Sequence, residues 1–337
     1  MENISNHKNK KIRKWPKVVG VVLSVLLLII LLGPFLIPVK GALGLNEPTD
    51  LIGQDGNIVT VPFDGTDGID MYYIYKPAQI KTERNFILIH GSLYNSNTWN
   101  EVIDYFSTKG NVYAYDQAPY GLTEKLVESD WTSANPYTVD SAIVQLEAFM
   151  DKMNIGSATL VGSSFGGVLA AEAAVQMPDR VDELIFVDAA VFVTESMPTW
   201  LLELPQVDHL GPILANTLGS GDGFFESTYF DKSKITDERM EINKALTKVN
   251  NWNIALWEYL QAWGTAPCDV STQLDRITQK ALVVSGAEDA IVPLEKSKQL
   301  AEALPNAVLV IIDDCGHLPH EECPEAFIKV LNKWFEK

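Results

Sequence analysis

The stretch Leu160-Val161-Gly162-Ser163-Ser164-Phe165-Gly166-Gly167 decides the fold. It contains G-x-S-x-G centred on Ser164. The apolar run Ala158 to Val161 leads into it, and Val168-Leu169-Ala170-Ala171-Glu172-Ala173-Ala174 leads out of it as a helix former. Strand, tight turn and helix are the context in which such a pentapeptide becomes a nucleophile elbow. The turn holds the serine in a strained backbone conformation and lifts its hydroxyl clear of the sheet. It also places that hydroxyl at a helix N-terminus, where developing negative charge is favoured. Gly162 and Gly166 keep Cβ atoms out of the place where strand and helix converge. Read alone, the pentapeptide is also an ordinary Gly/Ser turn, so its weight depends on partners elsewhere. Ser163, the neighbouring hydroxyl, occupies the first x of the motif and is expected to point away.

A serine hydroxyl needs a base to take its proton, and the base needs an orienting acid. The five histidines are His7, His90, His209, His317 and His320. His7 lies in a basic tail, His90 precedes a glycine after a strand, and His209 falls in a long insertion. His317 and His320 both follow the apolar strand Ala307–Ile312. His317 comes first, after Gly316, where a loop at a strand's C-terminal end reaches the site, and it is the expected base. His320 is then a structural or neighbouring histidine. For the acid, Ala281-Leu282-Val283-Val284-Ser285-Gly286-Ala287-Glu288-Asp289 reads as a buried strand ending in a turn. Asp289 gives the chain order Ser, Asp, His. Asp188, after the strand Leu184–Val187, is the alternative acid. The oxyanion hole needs two backbone N–H donors. Phe165, after the nucleophile, is expected to supply one. Ser92, in the loop after Phe86-Ile87-Leu88-Ile89-His90-Gly91, is expected to supply the other, with Leu93 as its alternative.

These motifs resemble those of the α/β-hydrolase family over roughly residues 55 to 335. The resemblance rests on His90-Gly91, Asp116-Gln117-Ala118-Pro119-Tyr120-Gly121-Leu122-Thr123, Gly162 to Gly167, Gly286-Ala287-Glu288-Asp289 with Pro293, and Gly316-His317 with Glu322-Cys323-Pro324-Glu325. It implies an eight-stranded, mostly parallel sheet with an antiparallel second strand. Related dehalogenases and epoxide hydrolases use an aspartate nucleophile where Ser164 stands here, which argues against both chemistries. The lipase-type His-Gly-Gly-Gly loop is replaced by His90-Gly91-Ser92-Leu93.

Strand-like runs at Asn57–Phe63, Asp70–Lys76, Phe86–His90, Asn111–Asp116, Ala158–Ser163, Asp182–Asp188, Ala281–Ser285 and Ala307–Ile312 alternate with helical patterns from the third run on. That alternation indicates an α/β fold with a doubly wound, parallel sheet. A domain at 56–337 is expected, with a helical lid insertion at about 195–267 that has no strand signature. Trp252, Leu256, Tyr259, Leu260 and Trp263 recur there at helical spacing. The stripe packs the lid onto the core, lines an apolar pocket above Ser164, or does both.

Residues 18–39 carry no charge and are long enough to span a membrane as one helix. Lys8, Lys10, Lys11, Arg13, Lys14 and Lys17 precede them. The expectation is a cytoplasmic basic tail at 1–17, a transmembrane anchor at 18–39, a linker at 40–55, and an extracytoplasmic catalytic domain. A cleaved signal peptide, releasing a secreted protein, is the alternative. The net charge is −18, and because the first 40 residues are basic the remainder carries about −24. So acidic a domain excludes nucleic acid as a partner. Cys268, Cys315 and Cys323 are an odd set without Cys-x-x-Cys, so neither a disulfide framework nor a zinc site is expected.

The expected function is a serine hydrolase that cleaves an ester or thioester with an apolar acyl part, through Ser164, His317 and Asp289, without cofactor or metal. Carbon–carbon bond or amide hydrolysis on the same triad is one alternative. A non-catalytic, membrane-tethered ligand-binding protein is another.

Overall fold

The computed structural model describes residues 15–43, 45–51, 55–192, 199–265 and 269–336. Most of the basic tail, both edges of the expected lid, and Cys268 lie outside them. In chain order the elements are α1 (Trp15–Leu32), β1 (Gly56–Val61), β2 (Ile69–Lys76), β3 (Asn85–Ile89), α2 (Ile103–Ser107), β4 (Asn111–Tyr115), α3 (Val139–Lys152), β5 (Ala158–Ser163), α4 (Phe165–Gln176) and β6 (Val181–Val187). The insertion follows, with α5 (Thr199–Leu202), α6 (Pro205–Ser220), α7 (Gly223–Ser227), α8 (Asp237–Asn243) and α9 (Trp252–Thr265). The chain then completes the sheet with β7 (Lys280–Gly286), α10 (Leu294–Ala303), β8 (Ala307–Ile312), α11 (Pro319–Glu322) and α12 (Pro324–Phe335).

The eight strands form one sheet in the order β1-β2-β4-β3-β5-β6-β7-β8. β2 runs antiparallel to β1 and β4, and the remaining pairs are parallel. Parallel strands covered on both faces read as unbroken apolar runs, as every residue of β5 being buried illustrates. The two faces have separate cores. One gathers Leu146, Phe149, Leu160, Leu169 and Phe186, and the other gathers Trp99, Phe106, Val161, Ile185 and Phe327. After β3 the chain moves to β4 on one side and then to β5 on the other. The loops leaving β3 and β5 therefore diverge and open a crevice at the strand C-termini. The candidate oxyanion loop and the elbow border that crevice.

The N-terminus departs from the expectation of a single span over 18–39. α1 stops at Leu32, because Pro34 offers no N–H to continue the ladder. Pro34–Leu36 forms a separate 3-10 turn. Eighteen residues at a rise of ~1.5 Å fall short of a ~30 Å hydrocarbon core. Among the described residues no helix is long and apolar enough to cross a membrane.

The described part of the 40–55 segment is not a free tether. Ala42 N–H donates to Asn253 Oδ1 at 2.9 Å, Asn251 N–H to Ala42 O at 2.9 Å, and Asn46 N–H to Lys248 O at 3.0 Å. The reading of the cysteines also needs correction: Cys315 and Cys323 form a disulfide across eight positions of chain. Their pairing was hidden in the sequence because the odd count gives no partner assignment. The bond closes the loop that carries His317.

Candidate active site

β5 delivers Ser164 to the C-terminal edge of the sheet with φ 51° and ψ −118°, between a strand and the first residue of α4. A serine in the left-handed half of φ space is strained, and the surrounding backbone bonds hold it there. Ser164 N–H donates to Val187 O at 2.9 Å, while Gly167 N–H and Ala190 N–H both donate to Ser164 O at 3.0 Å. Gly166 is required by close approach, since a Cβ there would overlap the carbonyl oxygens of Ile89 and His90. Ser163, by contrast, is fully buried and its hydroxyl finds no hydrogen-bond partner. The two adjacent serines thus point to different surroundings, as the motif requires.

The loop after β3 passes directly over the elbow. A Cβ on Gly91 would stand 2.9 Å from Ser164 Cβ. His90 does not face the serine. Its Nε2 accepts from Gln117 N–H at 3.0 Å, so the proton sits on Nδ1 and reaches Gly91 O at 2.7 Å. Burial lowers its pKa and keeps it neutral. Asp116, from the motif after β4, accepts from Ser96 N–H at 2.6 Å and Leu122 N–H at 2.7 Å. Both residues therefore shape the loop that presents Ser92. Leu93 carries φ 66°, an uncommon conformation for leucine that turns the chain just beyond Ser92.

Asp289 and His317 meet across the ends of β7 and β8. His317 Nδ1 and Asp289 Oδ2 are 2.7 Å apart, and both side chains are buried. Asp289 Oδ1 is independently fixed by Ile291 N–H at 2.7 Å and Val292 N–H at 2.9 Å. The carboxylate therefore presents one oxygen to the histidine, which carries its proton on Nδ1 and leaves Nε2 with a free lone pair. Among the described residues no hydrogen bond joins that Nε2 to Ser164 Oγ. Catalytic contacts are often long without substrate and tighten only in the complex. His317 itself is held from outside the sheet, because its N–H donates to Thr228 O at 2.8 Å.

His320 serves a different purpose. It is fully buried, stacks on Trp99 at 4.1 Å, and pairs with Thr98 Oγ1 at 3.1 Å. Burial, reinforced by His317 and Arg239, holds its pKa well below the usual imidazole range. Glu322 is the brace that sequence reasoning missed. Its carboxylate accepts from Gly316 N–H at 2.8 Å, Asp231 N–H at 2.8 Å and Phe230 N–H at 3.2 Å. One side chain thus joins the histidine loop to the helical insertion. In the sequence this glutamate stands only within the Glu322-Cys323-Pro324-Glu325 motif that carries the resemblance, which assigns it no role.

Asp188, the alternative acid, lies behind the pair instead of outside the site. Its Oδ1 accepts from Ser285 Oγ at 2.7 Å and Gly286 N–H at 3.2 Å. A carboxylate oxygen of Asp188, one of Asp289 and a ring nitrogen of His317 all lie within 4.8 Å of one another. Two carboxylates this close and this buried do not both ionise readily. Burial, followed by repulsion from Asp289, pushes the Asp188 pKa well above its ordinary value. In the unfolded chain the same group ionises in the normal carboxylate range. Unfolding between those two values releases a proton, so Asp188 lowers stability progressively as pH rises through that window. Asp188→Asn should relieve this cost, and asparagine tolerates the φ of 43° found there. The expected result is a melting-temperature gain that is small near pH 4 and grows to several degrees by pH 8. A gain that shrinks with pH would contradict a neutral Asp188.

Comparisons with known proteins agree with this architecture. The family model described as the alpha/beta hydrolase fold matches residues 84–324, and the chain belongs to that family. It is similar to the uncharacterized hydrolase YugF of Bacillus subtilis, with 26% identity over 272 residues that cover 77% of this chain and 92% of that protein. It is also similar to a 2-hydroxy-6-oxo-2,4-heptadienoate hydrolase of Pseudomonas putida, with 24% identity covering 73% and 87% of the two chains. Among solved structures, a thermophilic esterase from Thermogutta terrifontis superposes with a TM-score of 0.65 at 20% identity, over 83% of this chain and 98% of that one. The chain is thus a hydrolase of the α/β fold, with esterases and carbon–carbon hydrolases among the proteins it is similar to.

Proposed function

We propose that the protein is a serine hydrolase that cleaves carboxylic esters or thioesters through an acyl-enzyme. The observation that carries this reading is the His317–Asp289 pair, buried and bonded at 2.7 Å, at the same sheet edge as a serine held at φ 51° in a strand-to-helix turn. Ser164 Oγ attacks the substrate carbonyl as its proton passes to His317 Nε2. The imidazolium that forms keeps its Nδ1 proton and donates it in a hydrogen bond to Asp289. The backbone N–H groups of Phe165 and Ser92 receive the oxyanion. His317 then protonates the leaving oxygen or sulfur, and water repeats the sequence to release the acid. An apolar acyl part fits the surroundings, because Tyr259 and Trp263 of α9 place their rings 6.0 and 6.4 Å from that of Phe165. The insertion then serves as a lid over the nucleophile.

One observation favours a second reading, carbon–carbon hydrolysis of a β-diketone-like substrate. The hydroxyls of Tyr120 and Tyr259 are buried close to each other and to the Ser92 side chain, without a well-formed hydrogen bond. They could bond a second oxygen close to the scissile carbonyl, which a simple ester lacks. A fluorophosphonate should label the wild-type protein and leave Ser164→Ala unlabelled. On a series of p-nitrophenyl esters, kcat/KM should rise with acyl length and exceed the value for a β-diketone by at least about tenfold. The reverse ranking assigns the protein to carbon–carbon hydrolysis, and absence of labelling supports a binding protein.

We place the hydrolase domain outside the cytoplasm, carried at a membrane by the N-terminal apolar segment. Six cations ahead of Val18 support this orientation. The Cys315–Cys323 bond supports it too, as such bonds persist in oxidising compartments.

A further inference from the structure

From Val18 on, α1 carries no charge on any side, and its valine, leucine and isoleucine side chains from Val18 to Leu32 are 43–65% exposed. A helix of that kind is stable only when something apolar covers it. The chain leaving it is fastened to the insertion. Gln206 Nε2 donates to Leu31 O at 3.1 Å, and His209 Nε2 to Ile37 O at 2.9 Å. The Phe35 ring lies 5.2 Å from that of His209, and Asn253 Nδ2 donates to Lys40 O at 3.2 Å. Whatever surrounds α1 therefore also meets the part of the insertion to which it is pinned.

That part is α6, whose outer surface is unusual for so acidic a chain. Leu210, Ile213, Leu214 and Leu218 follow Gln206 and His209 at i, i+3, i+4 and i+8, so they share one stripe. Ile213, Leu214 and Leu218 are 42%, 54% and 38% exposed. The only charged residue of α6 is Asp208, an exposed residue off this stripe whose carboxylate is tied to α9, accepting from Trp257 Nε1 at 3.2 Å and Gln261 Nε2 at 3.0 Å. Trp200, on the adjoining α5, is 63% exposed. In a chain of net charge −18, an uncharged outer helix face continuous with a bare apolar helix marks a surface withheld from water.

We propose that the outer face of α6, together with Trp200, rests on a lipid bilayer that α1 enters. The occupant is the acyl-chain boundary of a zwitterionic membrane, since the acidic domain gains nothing from anionic headgroups. Exposed tryptophan and aliphatic side chains without charge suit that boundary. The insertion thus faces lipid, and on the ester-hydrolase reading given above the substrate arrives from the membrane as an amphiphile.

The test uses the full chain with Trp15→Phe, so that emission from α1 itself is removed. The protein is mixed with phosphatidylcholine vesicles whose acyl chains carry bromine, a contact quencher. The expected result is co-flotation with the vesicles and a loss of at least about half of the emission assigned to Trp200. That assignment comes from the difference between this protein and one also carrying Trp200→Phe. Ile213→Asp, Leu214→Asp and Leu218→Asp together should restore the Trp200 emission while α1 keeps the protein on the vesicles. Leu214→Asp alone should restore part of it. Hydrolysis of a short soluble ester should stay within about twofold in every variant, which shows that the domain is folded. Failure to co-float, an unquenched Trp200 on vesicles, or quenching indifferent to the three aspartates overturns the proposal. So does a lipid-free dimer that the aspartates dissociate, because a second copy would then be the cover. Quenching as expected with no ester turnover in any variant leaves this surface standing and removes the esterase reading.

Discussion

Ser164→Ala will lower kcat for an ester by about 10³–10⁶-fold while leaving the folded state intact, because it removes the nucleophile of the proposed triad. The fold does not depend on the hydroxyl. The elbow is held by Ser164's own backbone, through the bonds to Val187, Gly167 and Ala190, and alanine keeps all three. Thermal melts of the two proteins should therefore coincide within about 2 °C. His317→Ala should cost a comparable factor, and the double variant little more, since residues that act as a unit are not additive. What remains is the contribution of the oxyanion donors and of substrate binding, neither of which the substitutions touch. Ser163→Ala provides the internal control. The Ser163 hydroxyl is buried and unpartnered, so its removal sacrifices no hydrogen bond and should leave kcat within about threefold. If Ser163→Ala were as damaging as Ser164→Ala, the elbow would have been read one residue out of register.

The sheet was legible because its signal is local and repeated. β5 and β8 coincide with the apolar runs Ala158–Ser163 and Ala307–Ile312 read from the sequence, and the other strands differ by one or two residues at their ends. Buried parallel strands are short, continuous and bounded by turns, so nothing competes with the reading. The order of strands was not legible in composition or spacing, and the family resemblance implied only eight mostly parallel strands with an antiparallel second one; the order is seen in the structure. The meeting of Asp289 with His317 was anticipated from chain order, although the residues are 28 positions apart. Both lie at C-terminal strand ends, where the topology leaves few alternatives.

Other features depend on contacts between distant segments and left no local trace. Glu322 joins Gly316 to Phe230 and Asp231 across some 90 positions. Asp188 looked like a competitor to Asp289 because each follows a strand with the same pattern, and the sequence could not show that the two lie side by side. The N-terminal run was read by hydropathy alone. Pro34 sits inside it and divides it, and a proline's effect on a helix outweighs the apolarity of its neighbours. The segment after it looked like a linker because its polar residues have no periodicity, yet Asn46, Asn250, Asn251 and Asn253 carry bonds that tie it to the insertion.

Asp289→Asn should lower kcat/KM by about 10²–10⁴-fold, and its geometry explains why so conservative a change is costly. An asparagine at this position has one oxygen and one amino group to divide between two demands. Ile291 N–H and Val292 N–H, at 2.7 and 2.9 Å from Oδ1, both require an acceptor. The oxygen will remain there, because leaving two buried donors unpaired costs more than losing one bond to the ring. The amino group then faces His317 Nδ1 and can only donate. The ring must accept at Nδ1, its proton moves to Nε2, and the nitrogen nearest the serine no longer has a lone pair. The loss should appear in kcat, with the fluorophosphonate reaction slowed in parallel and the substrate KM nearly unchanged. Asp188→Asn, which replaces a neutral acid by a neutral amide, should keep kcat within about tenfold. Among the described residues Asp188 is the carboxyl grouped with Asp289 and His317 and so placed to substitute for Asp289, and removing the neighbouring charge would favour its ionisation. The double variant measures that substitution. If Asp188→Asn proved inactive while Asp289→Asn turned over normally, the orienting acid would be the residue after β6, and the bond between Asp289 and His317 would be a scaffold for the loop.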